Sequence, residues 1–166
     1  MRKEGAFIVL FRNDQRNEIF LVRRSDYYIW DLTGGGIESD EDPETAAVRE
    51  AREETGFRVE SVRLIGTYTY LKNNEKILGR THLFEGMVVS GEFQPEFPGC
   101  KGAWFSINKI PMDITKSTRR KINDTINFSG QVFNKQASEA KVTDNIHLML
   151  LHPVSTIRFL LRRRSK

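Results

Sequence analysis

GGIESDEDPETAAVREAREETGF, residues 35–57, is a glycine-rich turn running into a short helix crowded with carboxylates. Asp42 followed by Pro43 predicts a helix start, since an aspartate side chain accepts from the free amides of a first turn and proline's fixed φ suits the first helical position. Gly56 predicts the stop, because glycine readily takes the left-handed conformation that closes a helix. Between them Glu50, Glu53 and Glu54 fall on one narrow face at spacings i, i+3 and i+4, while Ala47, Val48 and Ala51 fall on a side that can pack inward.

That arrangement is locally unfavourable. Like charges at these spacings repel by about 0.2–0.5 kcal/mol per pair in an isolated helix, and Glu53 and Glu54 sit near the negative end of the helix dipole. A divalent cation would offset the repulsion, and clustered carboxylate oxygens suit a hard ion such as Mg²⁺ or Mn²⁺ rather than zinc or copper. Arg49, four residues before Glu53, can help. Composition alone favours a solvated Glu/Arg-rich helix face.

The spacing separates these readings. Gly35, Glu41, Arg49-Glu50, Ala51, Arg52, Glu53-Glu54, Thr55, Gly56 and Phe57 together resemble the signature of the Nudix hydrolases in residue type and interval. The likeness extends upstream through Trp30-Asp31-Leu32-Thr33-Gly34-Gly35-Gly36-Ile37-Glu38. The resemblance implies an α/β fold, a Nudix-type α/β/α sandwich with a mixed β-sheet, and hydrolysis of a diphosphate linked to another moiety. It also implies Mg²⁺ (or Mn²⁺) held by Glu50, Glu53, Glu54 and the Gly35 backbone, with one glutamate as general base and with Glu41 and Arg49 as supporting groups. Family members often add a glutamate from a later loop, and Glu96 is the candidate by position, with Glu92 behind it. Two positions depart from the pattern. Ala51 stands in a slot usually filled by a larger aliphatic, and Thr33 where many members carry a proline.

At 166 residues, 39% hydrophobic and 29% charged, the chain is expected to form a single domain over 1–166, with 127–166 as an extension. No secretory leader and no membrane span are legible, so a cytoplasmic protein is expected. The lone Cys100 excludes an intrachain disulfide and reads as structural. From Thr115 onward there are 11 Lys and Arg against 3 Asp and Glu, leaving the formal charge of residues 1–114 at −4 within a total of +4. Such a tail could draw in polyphosphate or RNA, or simply be solvated surface.

Residues 5–12 (GAFIVLFR) and 18–24 (EIFLVRR) predict a hairpin across the polar 13–17. Arg23 and Arg24 then end a strand that heads for the glycine loop, and strand alternation lets one of them meet phosphate oxygens. With Trp30, Gly35 and Gly36 they form the expected substrate-binding set; Tyr27, Tyr28 or Trp30 could stack on a base, although packing is the commoner use of such an aromatic. Residues 58–70 and 79–91 predict long antiparallel strands, 102–108 a further strand and 114–126 a helix. Residues 128–152 fit no pattern, 153–164 predict a terminal helix, and His147 and His152 read as structural. The extension is expected to be a lid, a homodimer surface or packing. The leading substrate is a nucleoside diphosphate derivative or nucleoside triphosphate. Removal of pyrophosphate or a cap from RNA 5′ ends is a second reading, and a non-catalytic nucleotide-binding module a third. An isopentenyl diphosphate isomerase, relying on a reactive cysteine, is disfavoured because Cys100 lies far along the chain from the motif.

Overall fold

A computed structural model describes residues 3–23, 25, 28–72 and 76–137. Its sheet is built on β1 (Lys3–Phe11), which pairs antiparallel with β2 (Glu18–Arg23) at one end and with β4 (Thr33–Gly36) at the other. On its other side β1 runs parallel to β6 (Lys76–Ser90), itself the antiparallel partner of β5 (Arg58–Lys72). The short β3 (Trp30–Asp31) and β7 (Lys101–Ser106) both pair with β2, and β8 (Phe133–Ala137) adds parallel to β5. The sheet is therefore mixed, as expected.

Strand alternation sorts the side chains into two cores. Ala6, Ile8, Leu10, Phe20 and Phe84 face one side, where Ala46, Ala47 and Ala51 of α1 (Pro43–Thr55) cover them. Val9, Phe11, Ile19, Leu21 and Leu83 face the other, beneath Ile122 of α2 (Lys116–Ile126). One helix lies on each face, which is the α/β/α sandwich. No helix among the described residues is long and apolar enough to cross a membrane.

Three details differ from the sequence reading. The inward face of α1 is Ala46, Ala47 and Ala51, all fully buried, whereas Val48 is partly exposed; α1 is rotated so that three methyl groups, the smallest side chains it offers, meet the sheet. The helix expected from 114 begins at Lys116, because Thr115 caps it by accepting from the Thr118 N–H and Ile114 is buried in the core. Inside the stretch that fitted no pattern, β8 is a strand whose outer residues, Asn134, Lys135 and Gln136, are exposed. Its polar run hides the alternation that sequence reading relies on, and it is held by Phe133 lying across Gly66 and edge-on against Tyr68, with ring centroids 5.2 Å apart. The predicted helix at 153–164, His147 and His152 lie outside the described residues.

Close approach of α1 yields a stability prediction. Ala51→Leu, which sets a larger aliphatic against the sheet, should lower stability by about 1–3 kcal/mol through overpacking. Urea melts of the two proteins would check this, with an unchanged midpoint counting against it.

Candidate active site

The ends of α1 are fixed by the residues that the sequence pointed to. The Asp42 carboxylate accepts from the Glu44 N–H at 2.9 Å, the Thr45 N–H at 3.1 Å and the Thr45 hydroxyl at 2.6 Å. At the other end Gly56, with φ +74°, donates its N–H to the Arg52 carbonyl at 2.8 Å. So capped, the helix lies along β4, whose residues 33–36 are paired to Ile8 through Gly5 of β1. Gly35 is required by close approach: a Cβ there would run into the Glu50 carboxylate. Glu50 thus rests directly on the strand.

Arg49 organises the outer part of the acidic face. Its five donors are all used: two on the Glu41 carboxylate at 2.9 Å each, one each on Glu50 at 3.0 Å and Glu53 at 2.9 Å, and one on the Gly36 carbonyl at 3.1 Å. Glu41 also accepts from the Glu38 N–H at 3.3 Å, so this pair ties the 36–41 turn to the helix. The hydrogen bonds from Arg49 hold the Glu41 carboxyl below its ordinary range, and those same carboxylates hold Arg49 more firmly protonated. Glu53 is half exposed at the rim, whereas only 15% of the Glu50 side chain reaches solvent.

The inner part is not neutralised in this way. Glu54 is pushed up to about 8, first by burial and then by the charges of Glu50, Glu96 and Asp31, against a single relieving hydrogen bond from the Gly34 N–H at 3.0 Å. Glu50 is raised by burial, an effect that Arg49 opposes and that Glu53 and Glu96 reinforce. Glu96 reaches this field because its loop is tied back to the helix. The Gln94 N–H donates to the Thr55 carbonyl at 2.9 Å, and Phe93 packs on Phe20 with ring centroids 5.4 Å apart. Glu92, the reserve candidate, places its backbone carbonyl against Gly56.

Asp31 was missed as a contributor. Its carboxylate accepts from the Leu32 N–H at 2.8 Å and the Thr118 hydroxyl at 2.7 Å, joining β3 to α2 while adding negative charge at Glu54. Its link to α2 could not be read from the chain, because strand alternation would set it on the face opposite Trp30. Trp30 sits edge-on against Phe105, centroids 4.9 Å apart, and its ring carries the Arg23 guanidinium at 5.2 Å. Both belong with the α2 side of the sheet, away from the Glu50 carboxylate on the α1 side. Arg24 and Tyr27 lie outside the described residues, as does most of the basic tail. Gly36 is exposed and lends its carbonyl to Arg49.

Among the described residues no three of His, Cys, Asp and Glu already converge on a metal-binding point. The donor chemistry nonetheless fits a hard cation. The oxygens are all carboxyl or backbone carbonyl, and the raised Glu50 and Glu54 are groups whose ionised form a cation would favour.

Comparison with known proteins agrees with this geometry. The NUDIX domain matches residues 1–125. A protein of Bacillus subtilis (strain 168), provisionally named an 8-oxo-dGTP diphosphatase, is 34% identical over 133 residues, covering 80% of this chain and 85% of its own. Diphosphoinositol polyphosphate phosphohydrolase 3-alpha of Mus musculus is 37% identical over 83 residues, 49% of each chain. Among solved structures, a Nudix hydrolase from Nitrosomonas europaea superposes with a TM-score of 0.68 at 22% identity, covering 83% of this chain and 80% of that one. An ADP-ribose pyrophosphatase from Streptococcus suis gives 0.61 at 22% identity, covering 82% and 100%. With its capped glutamate helix laid on a glycine strand, the chain belongs to the Nudix hydrolase family.

Proposed function

We propose that the protein hydrolyses a phosphoanhydride bond in a nucleoside diphosphate derivative or nucleoside triphosphate. The observation that carries this reading is the crowding of the buried Glu50 and Glu54 carboxyls beside a glycine strand, where ionisation is costly unless a cation offsets it. Glu50, Glu53 and Glu54, with the Gly35 carbonyl, would hold Mg²⁺ or Mn²⁺, Glu50 and Glu53 turning from Arg49 to do so. The bound ion would neutralise diphosphate oxygens and ease deprotonation of water. Water forms the new P–O bond, the bridging P–O bond breaks, and one glutamate of the helix or Glu96 takes the proton. Glu41 and Arg49 keep the turn against the helix. The name of the Bacillus subtilis relative, similar over 85% of its length, supports the nucleoside triphosphate part of this class.

The test is product release from a panel of nucleoside triphosphates and nucleoside diphosphate derivatives, with Mg²⁺, with Mn²⁺ and with EDTA. Turnover should require the metal, and Glu53→Gln and Glu54→Gln should each lower kcat by about 10²-fold or more. Undiminished turnover in EDTA or in both variants would remove the proposal.

The burial of Glu54 also sets a pH dependence. Glu54 ionises near its ordinary 4.5 when unfolded and near 8 when folded without metal, so between these values the folded state binds more protons. Stability contributed by this group therefore falls as pH rises through the window and levels off above it. In EDTA, thermal melts from pH 5.5 to 8.5 should show the wild type losing ground steadily against Glu54→Gln. Parallel pH trends for the two proteins would contradict the assignment.

A further inference from the structure

Thr33 carries a buried hydroxyl that the site as described does not use. The residue is fully buried, and its Oγ1 is the one buried side-chain polar atom without a hydrogen-bond partner among the described residues. An unpaired buried hydroxyl carries a desolvation penalty, so a partner in the working state is the economical explanation.

Register identifies that partner. Gly35 faces α1, since a Cβ there would meet Glu50. Thr33 lies two residues earlier in the same strand, hence on the same face, at a separation of roughly 6.5 Å. Glu54 lies four residues after Glu50, about 6 Å along the helix axis. The two spacings match, and the helix runs antiparallel to the strand, so Glu54 stands to Thr33 as Glu50 stands to Gly35. The bond from the Gly34 N–H to Glu54 Oε2, at 3.0 Å, pins the carboxylate beside this position. That N–H is its only hydrogen-bond donor among the described residues.

We propose that the Thr33 hydroxyl is a second hydrogen-bond donor to the Glu54 carboxylate, reached by rotation of either side chain, and that Thr33 is a positioning residue for hydrolysis. A proline, common in the family at this position, offers no such donor, so the device belongs to this chain's own sequence. The inference rests on the role proposed above for Glu54.

The experiment compares wild type with Thr33→Val, which keeps the branched shape and removes the hydroxyl, and with Thr33→Ser and Thr33→Ala, a pair of similar volume differing in that hydroxyl. Steady-state kinetics are measured on the nucleotide turned over best, and Mn²⁺ affinity by calorimetric titration without substrate. Thr33→Val and Thr33→Ala should lower kcat about tenfold with KM within twofold and weaken Mn²⁺ binding severalfold, whereas Thr33→Ser should stay near wild type. In a Glu54→Gln background the loss of the hydroxyl should change Mn²⁺ affinity no further. If Thr33→Val keeps kcat and Mn²⁺ affinity and melts at a higher temperature, the hydroxyl is merely an unpaired group and the inference falls. Should Thr33→Val fold poorly, equal kcat and equal Mn²⁺ affinity in the Ser and Ala variants would overturn it just as well. Wild-type turnover by Glu54→Gln would instead defeat the role of Glu54 itself, so the two failures are distinguishable.

Discussion

Everything at the site depends on how closely a carboxylate-bearing helix lies on a glycine strand. Three alanines, Ala46, Ala47 and Ala51, are the side chains that α1 presents to the sheet, and all are fully buried. Gly35 answers from below by offering no Cβ where the Glu50 carboxylate rests. Small residues on both surfaces carry charged groups into a region of low solvent access, where each interaction between charges gains strength. A larger residue on either side would lift the glutamates toward water and weaken their mutual field.

The chain handles buried carboxylates in two contrasting ways. Glu85, 5% exposed, is gripped by the guanidiniums of Arg16, at 2.6 and 2.8 Å, and of Arg63. Arg16 also donates to the Thr125 carbonyl at 3.2 Å, so this neutralised cluster fastens the first turn to the end of α2. Glu54 receives one backbone N–H and is surrounded by further acids. A fold that supplies two arginines to one carboxylate and none to another concentrates its local disagreement at the second, where function is most readily sought. Arg49 stands between these extremes: it gives two donors to Glu41 and one each to Glu50, Glu53 and the Gly36 carbonyl, and none to Glu54.

The loop bearing Glu96 shows how a distant segment becomes part of the site. It follows β6, more than thirty residues after the helix in the chain, yet the N–H of Gln94 meets the last turn of α1 and Phe93 enters the core beneath it. Asp31 arrives from the opposite direction, held by a hydroxyl of α2. The charge at Glu54 is thus assembled from α1, β3 and the 91–97 loop, three parts of the chain that meet through the sheet.

Legibility followed the range of the interactions. The caps Asp42, Pro43 and Gly56, the shared face of Glu50, Glu53 and Glu54, and the strands flanking the motif were all readable, because each depends on backbone geometry within a few residues and on a repeat of 3.6 or 2. The inward turn of Ala46 in place of Val48 was not, since the rotation of a helix about its axis is set by the surface it meets. Neither was β8, a polar edge strand specified by Gly66 and Tyr68 of its neighbour. Sequence by itself determined the family, the sandwich of helices about a mixed sheet and the identity of the acidic residues, through local propensity and spacing. Tertiary structure alone decided which of those acids are buried, which are paired with Arg49 and which distant charges act on Glu54, because desolvation and Coulomb energies depend on distances through space that the order of residues does not contain.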